Sequence, residues 1–459
     1  MRVAVLTFGC RVNQAESLAI ERELYENGAT IVDSGAAELV VVNSCSVTAT
    51  ADQGTRQSIR RVARENPAAR IVVTGCYATR APGEVASLPG VVHIVANARK
   101  EGVVKEALAA VRAASPRYVG QGFSPASGLG STQTCSAGIE CPGDGASGRT
   151  ETLPHLPLFL GNRTAFTLRV QTGCEEGCSY CVIPFTRGPE RSRPPEALAD
   201  EVRRLESAGY LDVTLTGVHL GSYGRDLEPS TTLPALVDRL LEATAALRLR
   251  LGSLEPLDCS PTLVDRAAAD GRLAPAFHLP LQHASDHVLR AMRRPYGLDE
   301  YDQVVRYVRE RVRHASITAD VIVGFPGETD DDFDVLARYL AASPLTQLHV
   351  FPYSDRPGTE ASAMAGKLHG TVVRERARVI REIGAQLAER FRREQAGTVR
   401  PALAIDDGMA AVTDNGLRVR LDRAHPRNSR IRVLLGPEAA TGCVVESGWR
   451  LPPGLSSGP

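Results

Sequence analysis

Lysine is scarce: three residues (Lys100, Lys105 and Lys367) stand among 53 basic ones, a bias that carries no function by itself. Excess charge is lacking too, because 53 Lys and Arg balance 53 Asp and Glu. That balance argues against a protein that coats nucleic acid, but it leaves room for a local basic patch. Long apolar runs are missing. LVVVNSC (Leu39–Cys45) is among the longest and falls far short of the ~20 residues a membrane span needs. The opening MRVAVLTFGC enters a strand-like segment and lacks the basic region, apolar stretch and cleavage site of a secretory signal. A cytosolic chain with no membrane partner is expected. At 43% hydrophobic and 23% charged residues, wholesale disorder and fibrous repeats are excluded. A length of 459 residues suggests roughly three domains.

Cysteine is what stands out. There are ten, and in a reducing cytosol they read as metal ligands, reactive thiols or small core residues rather than disulfides. Residues 1–115 alternate apolar strands with helices, roughly to Glu26, over Thr50–Glu65 and over Lys100–Ala114. Unbroken apolar strands of this kind predict a Rossmann-like parallel sheet covered on both faces. Residues 121–150 break the pattern with seven Gly, five Ser and two Pro, so 116–160 reads as an insertion or linker. It carries Cys135 and Cys141, which a loop explains better than a third metal site. Between 161 and 396 six further βα units predict a partial (β/α)6 TIM-like barrel, closed by a long charged helix over Thr371–Gln395. From 397 to 452 short strands of period two, as in GLRVRLD, predict a small all-β domain.

VQTGCEEGCSYCVIP places Cys174, Cys178 and Cys181 at the end of the first barrel strand, at the carboxyl edge where parallel barrels build their active sites. Three thiolates within eight residues suit three irons of a [4Fe–4S] cluster and leave the fourth iron free for a small molecule. A structural zinc would want a fourth ligand, for which His219 is the nearest candidate. Three buried core thiols are the bland alternative. Cys10, Cys45 and Cys76 are 35 and 31 residues apart, yet each lies where a predicted parallel strand stops. Neighbouring strands are about 4.8 Å apart, so three such tips can converge on one site in the crevice beyond the sheet. Three buried small residues remain the alternative there.

The cysteine loop, with Tyr180 before its last thiol, resembles the radical S-adenosylmethionine superfamily. TFGCRVNQAE (Thr7–Glu16), VVNSCSVTATADQGTRQSIRR (Val41–Arg61) and IVVTGCYA (Ile71–Ala78) resemble the methylthiotransferase N-terminal domain. The resemblance continues through GCEEGCSYCVIPFTRGPERSRPP, LTGVHLGSYG, LRLGSLEP and TADVIVGFPGET, and ends in a β-domain like the RNA-binding TRAM module. It implies that Cys174, Cys178 and Cys181 hold one [4Fe–4S] cluster, whose open iron S-adenosylmethionine chelates. It also implies that Cys10, Cys45 and Cys76 hold a second cluster. Implied partners are tRNA, an electron donor such as flavodoxin or ferredoxin, and a sulfur source. GCRVNQAE is most similar to the branch that 2-methylthiolates N6-threonylcarbamoyladenosine at position 37 of tRNA, beside the anticodon. The isopentenyladenosine branch usually reads Gly-Cys-Gln-Met-Asn there, and the ribosomal-protein branch Gly-Cys-Pro-Lys-Asn. PLQHASDHVL departs from the family, with His283 and Ala284 where Ser-Gly is usual.

Further candidates are softer. The resemblance suggests that the loop from Gly217 holds the methionine end of the cofactor, Glu255 its ribose and GFPGE (Gly324–Glu328) its adenine. For Glu255 the rival is a carboxylate capping a helix. Arg187, Arg191 and Arg193 flank the cysteine loop and suit a carboxylate or a tRNA phosphate, or else form a solvated face. Cys259 and Cys443 read as ordinary core or surface residues. In Arg418–Arg432 six arginines (Arg418, Arg420, Arg423, Arg427, Arg430 and Arg432) face one acid, Asp422, a stripe suited to RNA phosphates. Few aromatics lie nearby, which favours phosphate contact over base stacking. Two rivals stand beside the tRNA reading. One is methylthiolation of isopentenyladenosine or of a ribosomal protein; the other is a non-enzymatic RNA-binding protein with zinc.

Overall fold

The computed structural model describes residues 1–112, 117–118, 164–437 and 439–445. The Gly/Ser-rich stretch with Cys135 and Cys141 lies outside the described residues. The chain opens with β1 (Arg2–Thr7), α1 (Arg11–Glu26), β2 (Thr30–Ile31), β3 (Leu39–Ser44), α2 (Ala49–Glu65) and β4 (Arg70–Gly75). Then come α3 (Cys76–Arg80), α4 (Pro82–Ala86), β5 (Val91–Val95), α5 (Val103–Arg112) and β6 (Arg117–Tyr118). Their sheet is parallel, in the order β2-β1-β3-β4-β5-β6. All six β3 residues are buried because helices cover both faces, as the apolar run predicts. The helix expected over Lys100–Ala114 starts differently: a 3₁₀ segment, Asn97–Gly102, precedes α5 and carries Lys100 into the interior.

The second unit contains β7 (Ala165–Arg169), β8 (Gln171–Thr172), α6 (Ile183–Arg187), β9 (Arg191–Ser192), α7 (Pro195–Ser207), β10 (Asp212–Thr216), α8 (Leu233–Glu242) and β11 (Arg248–Leu251). It continues with α9 (Pro261–Ala269), β12 (Ala276–His278), α10 (Asp286–Ala291), α11 (Leu298–Arg311), β13 (Ser316–Val323), α12 (Asp330–Ala342) and β14 (Gln347–Pro352). After α13 (Glu360–Ala363), the helix α14 (Gly370–Gln395) closes this unit. Two parallel three-stranded sheets, β11-β10-β7 and β12-β13-β14, are joined by a parallel bridge from Ser253 to His278. The result is the six-stranded partial barrel that the spacing predicts. Alternation fixes its two faces. Along β13, Ile317, Ala319, Val321 and Val323 are buried in the core against the helices. Thr318, Asp320 and Ile322 point the other way, onto the concave face.

Strands β15 (Val399–Ile405), β16 (Ala410–Thr413), β17 (Arg418–Leu421), β18 (Arg430–Leu435) and β19 (Thr441–Val444) form a small closed barrel, ordered β15-β16-β17-β19-β18. It docks at the amino ends of the large barrel's strands. Arg250 donates to the carbonyls of Thr413 (3.0 Å) and Asp414 (2.8 Å). Asn415 donates to His314 O at 2.9 Å, and Asn428 to Gly209 O at 2.8 Å.

Candidate functional site

One cysteine triplet lies at the carboxyl rim of the large barrel and the other at the carboxyl ends of strands in the N-terminal sheet. In the barrel, the ribbon β8–β9 brackets the loop that carries Cys174, Cys178 and Cys181, all partly exposed. Gly173 turns the chain into this loop at φ +81°, and a Cβ there would lie 1.8 Å from the carbonyl oxygen of Pro189. The loop's middle is pinned from several sides. Ser179 donates its amide to Met292 O (3.1 Å) and its hydroxyl to Ala291 O (2.7 Å), and its carbonyl accepts from the Ala361 amide at 2.8 Å. Tyr180 is partly buried edge-on to Phe325, with ring centroids 6.4 Å apart.

The thiols have donors aimed at them. Arg294 Nη1 donates to Cys178 Sγ at 3.2 Å, and the Ile183 amide donates to Cys181 Sγ at 3.4 Å. Burial pushes the Cys181 thiol up to about 12 and raises that of Cys178, for which the Arg294 charge is the chief opposing influence. Arg294 also pairs with Glu255, so this carboxylate holds the arginine that donates to Cys178, and its side chain caps no helix. Burial raises the Glu255 pKa, and Arg294 pulls it back. No sequence spacing marks Arg294, which stands 116 residues from Cys178.

His219 stands beside Cys174, and with Glu190 the two place potential ligand atoms within 4.8 Å of one another. Its Nδ1 bonds Glu190 at 2.9 Å and its Nε2 bonds Asp258 at 2.8 Å, so both ring nitrogens are engaged. Burial pulls its pKa down, but the bonds to Asp258 and Cys174 outweigh burial and hold it at about 11. The loop from Gly217 is held by Gln171, whose Oε1 accepts the amides of Val218 (2.9 Å) and His219 (3.0 Å). A side chain on Gly217 would press against Gln171, with Cβ 2.9 Å from Oε1. Glu328 of the GFPGE turn is buried and accepts from the amides of Gly324 (2.6 Å) and Phe325 (3.2 Å), so it braces its own turn.

In the N-terminal sheet, Cys10, Cys45 and Cys76 follow β1, β3 and β4, three adjacent strands. Gly9 approaches so closely that a Cβ on it would sit 2.4 Å from Cys45 Sγ. Cys10 is exposed, while Cys45 and Cys76 are buried. Burial, reinforced by the neighbouring Cys10 and Cys76, pushes the Cys45 thiol up to about 12. Asn97 Nδ2 stands 3.6 Å from Cys76 Sγ and donates to Thr186 O at 2.9 Å, linking this site to α6 directly after the barrel loop. Three thiols on one crevice, with the charges of Arg187 and Lys100 close to Cys76, suit an anionic metal–sulfur group, as the barrel triplet does.

Two arginines beside the loop have other partners. Arg187 is buried, bonding Glu16 Oε1 at 2.6 Å and also Asn13, so it pins the barrel to the N-terminal sheet rather than meeting a phosphate or lying in solvent. Arg193 bonds Glu201 at 2.6 Å and Arg169 O at 3.2 Å, while Arg191 remains exposed. Of the C-terminal arginines, Arg418 pairs with Asp406, and Arg420, Arg423 and Arg432 are exposed. Arg427 is partly buried. Arg430 is committed to docking through the carbonyls of Leu211 (3.0 Å) and Ala246, so it is removed from any RNA-facing stripe. Cys259 is a core residue, and the exposed Cys443 contacts Asp422 at 3.3 Å.

A partial barrel with three loop thiols at its carboxyl rim, joined to a parallel sheet with three thiols at its strand tips, defines a radical S-adenosylmethionine enzyme with an auxiliary cysteine site. Residues 2–97 match the Uncharacterized protein family UPF0004, and residues 168–340 match the Radical SAM superfamily. Over 439 residues the chain is 32% identical to the threonylcarbamoyladenosine tRNA methylthiotransferase MtaB of Aquifex aeolicus, covering 95% of this chain and 100% of that one. It is 31% identical to the ribosomal protein uS12 methylthiotransferase RimO of Saccharopolyspora erythraea, with 86% and 83% covered. It is 28% identical to the tRNA-2-methylthio-N(6)-dimethylallyladenosine synthase of Pelotomaculum thermopropionicum, with 87% and 85% covered. The solved radical S-adenosylmethionine methyltransferase TsrM of Kitasatospora setae shares the fold at TM-score 0.52 and 15% identity, covering 79% of this chain and 75% of that one. The chain belongs to the radical SAM methylthiotransferase family. It is a transferase, and members of this family use S-adenosylmethionine and two [4Fe–4S] clusters. Among the described residues, no helix is long and apolar enough to cross a membrane.

Proposed function

We propose that the chain installs a methylthio group at C2 of N6-threonylcarbamoyladenosine beside the anticodon of tRNA, in the cytosol. The observation that carries this reading is a pair of thiol triplets on two units joined through Asn97, which stands by Cys76 and bonds Thr186 of α6, together with a sequence, GCRVNQAE, of the threonylcarbamoyladenosine type. An aromatic C–H is not acidic enough for a general base, so its replacement needs radical chemistry and a separate source of sulfur. Cys174, Cys178 and Cys181 would hold the cluster that binds S-adenosylmethionine, and Cys10, Cys45 and Cys76 the auxiliary one. When bound, the first cluster supplies the electron that cleaves the sulfonium. Glu255, held by Arg294, would orient the cofactor's hydroxyl groups, and the loop from Gly217, packed on Gln171, would bind its methionine end. Arg294 places a positive charge against the sulfur of Cys178. Exposed arginines of the C-terminal barrel would bind tRNA phosphates. The electron donor and sulfur source are separate partners.

Two measurements test this. Anaerobic reconstitution should give about eight irons per chain, falling to about four in Cys10→Ala, as two four-iron clusters require. No fall would remove the second cluster from this site. Nucleosides from a deletion strain should lose the 2-methylthio-threonylcarbamoyl species. An unchanged nucleoside profile would overturn the substrate, and loss of a modification on a ribosomal protein would reassign it.

A further inference from the structure

A second polar constellation lies on the concave wall of the large barrel and contains no cysteine. His278 of β12, Asp320 of β13 and His349 of β14 bring their ring nitrogens and carboxylate oxygens within 4.8 Å of one another. His278 Nε2 bonds Asp320 Oδ1 at 3.0 Å, and the two imidazoles meet edge to face with centroids 5.7 Å apart. Strand alternation puts all three on the wall opposite the core. Phe277, Ala319 and Val321 are buried against the helices, and Leu348 and Val350 pack onto that same core. None of the three polar side chains is fully buried, so packing does not explain them.

Their position is informative. The Leu254 amide donates to His278 O at 2.9 Å, so His278 sits level with the residue before Glu255 and hence beside the Arg294–Cys178 corner. On the other side, the charge of Arg11, next to Cys10, reaches His349. The constellation thus lies on the concave wall level with Leu254, the residue before Glu255, where a substrate entering the barrel can meet it.

We propose that His278, Asp320 and His349 read the substituent on the base to be modified, and that this substituent is a polar, amino-acid-bearing group with carboxylate, hydroxyl and urea functions. This rests on the threonylcarbamoyladenosine reading above and names its specificity residues. The complement is direct: Asp320 accepts from a hydroxyl or urea N–H, and imidazole N–H groups donate to a carboxylate or urea carbonyl. An apolar dimethylallyl substituent would strip water from these groups and return no hydrogen bond. Sites built to pair polar groups reject analogues that lack them far more strongly than apolar pockets reject a methylene.

The test uses the full chain and anticodon stem-loop RNAs that differ in one base: threonylcarbamoyladenosine, isopentenyladenosine or plain adenosine. Dissociation constants are read by fluorescence anisotropy at one fixed salt concentration. Wild type should prefer the threonylcarbamoyl RNA at least about tenfold over the isopentenyl RNA, the scale set by losing a paired polar group. Asp320→Leu and His349→Leu should abolish that preference while binding plain RNA as wild type does. His349→Gln, which keeps a donor, should retain part of it. A preference that survives in both leucine variants overturns the assignment. So does one equivalent of a divalent metal in the purified wild type that His349→Leu loses, because the three residues would then be ligands. If the deletion strain keeps its 2-methylthio-threonylcarbamoyl nucleoside, the functional reading fails instead, whatever these binding ratios are.

Discussion

At the scale of single residues, the chemistry of a side chain decided what could be read in advance. The placement of the thiols was legible, because their positions at strand ends and in the first barrel loop survive any reading of the loops. Arg294, Asn97 and the His278–Asp320–His349 group were not legible, because each acquires meaning from partners on other strands and helices. His283 shows a third case. It departs from the family's usual residue and is fully buried: its Nδ1 accepts the Ser285 amide at 3.0 Å, and its Nε2 has no hydrogen-bond partner. Burial pushes its pKa down to about 3. A histidine that titrates near 6.5 when unfolded but near 3 when folded makes the unfolded chain bind more protons between those values. Its contribution is intact above about 6.5 and is lost as pH falls, by up to about 1.4 kcal/mol per pH unit. Urea unfolding at pH 7, 6 and 5 should show a weaker pH dependence in His283→Gln than in wild type. Equal slopes would mean that protonated His283 finds a partner in the folded state.

At the scale of elements, strands, helices and their order followed from apolar runs and turn residues, and the six-strand barrel and the five-strand domain were both legible. What patterning could not supply was how the elements meet, since charged residues at an interface look like any solvated face. Arg187 is the case in point: sequence placed it near the cysteine loop, and the structure buries it on Glu16 of α1. Glu16 also accepts from Lys100 at 2.5 Å and from Arg169 at 3.2 Å. Burial works to raise its pKa, but Lys100 and Arg187 together hold it far below the ordinary carboxylate range. Because the folded value is depressed, this stabilisation is complete above the unfolded value of about 4.5 and is lost as acid protonates the carboxylate. Glu16→Gln at neutral pH leaves two buried cations without their counter-ion, which should cost about 3–5 kcal/mol. A chemical unfolding midpoint that moves by less than the equivalent of ~1 kcal/mol would show that water reaches the cluster and screens it.

At the scale of the whole molecule, the proposed RNA surface and the thiols lie at opposite ends of the large barrel. The small C-terminal barrel docks through Gly209, Ala246 and His314, which precede β10, β11 and β13, while the cysteine loop follows the first barrel strand. An eight-residue strand such as β13 spans roughly 26 Å, so one RNA contacting both ends must run along the barrel. Contacts that far from the reacting base go to phosphates. They supply affinity and register but carry no information about the base. Arg420 and Arg432 are the residues to test, being exposed, whereas Arg430 is spent on docking. Replacing both by Ala should weaken threonylcarbamoyl and plain stem-loops by the same factor. It should also flatten the slope of log affinity against log salt by about 1.4–1.8, or 0.7–0.9 for each lost phosphate contact. Arg430→Ala should instead lower the unfolding midpoint, because it severs two carbonyl contacts between the barrels. If the double variant keeps the wild-type salt slope, the phosphate contacts lie elsewhere, and the exposed arginines serve only to keep the surface of the small barrel soluble.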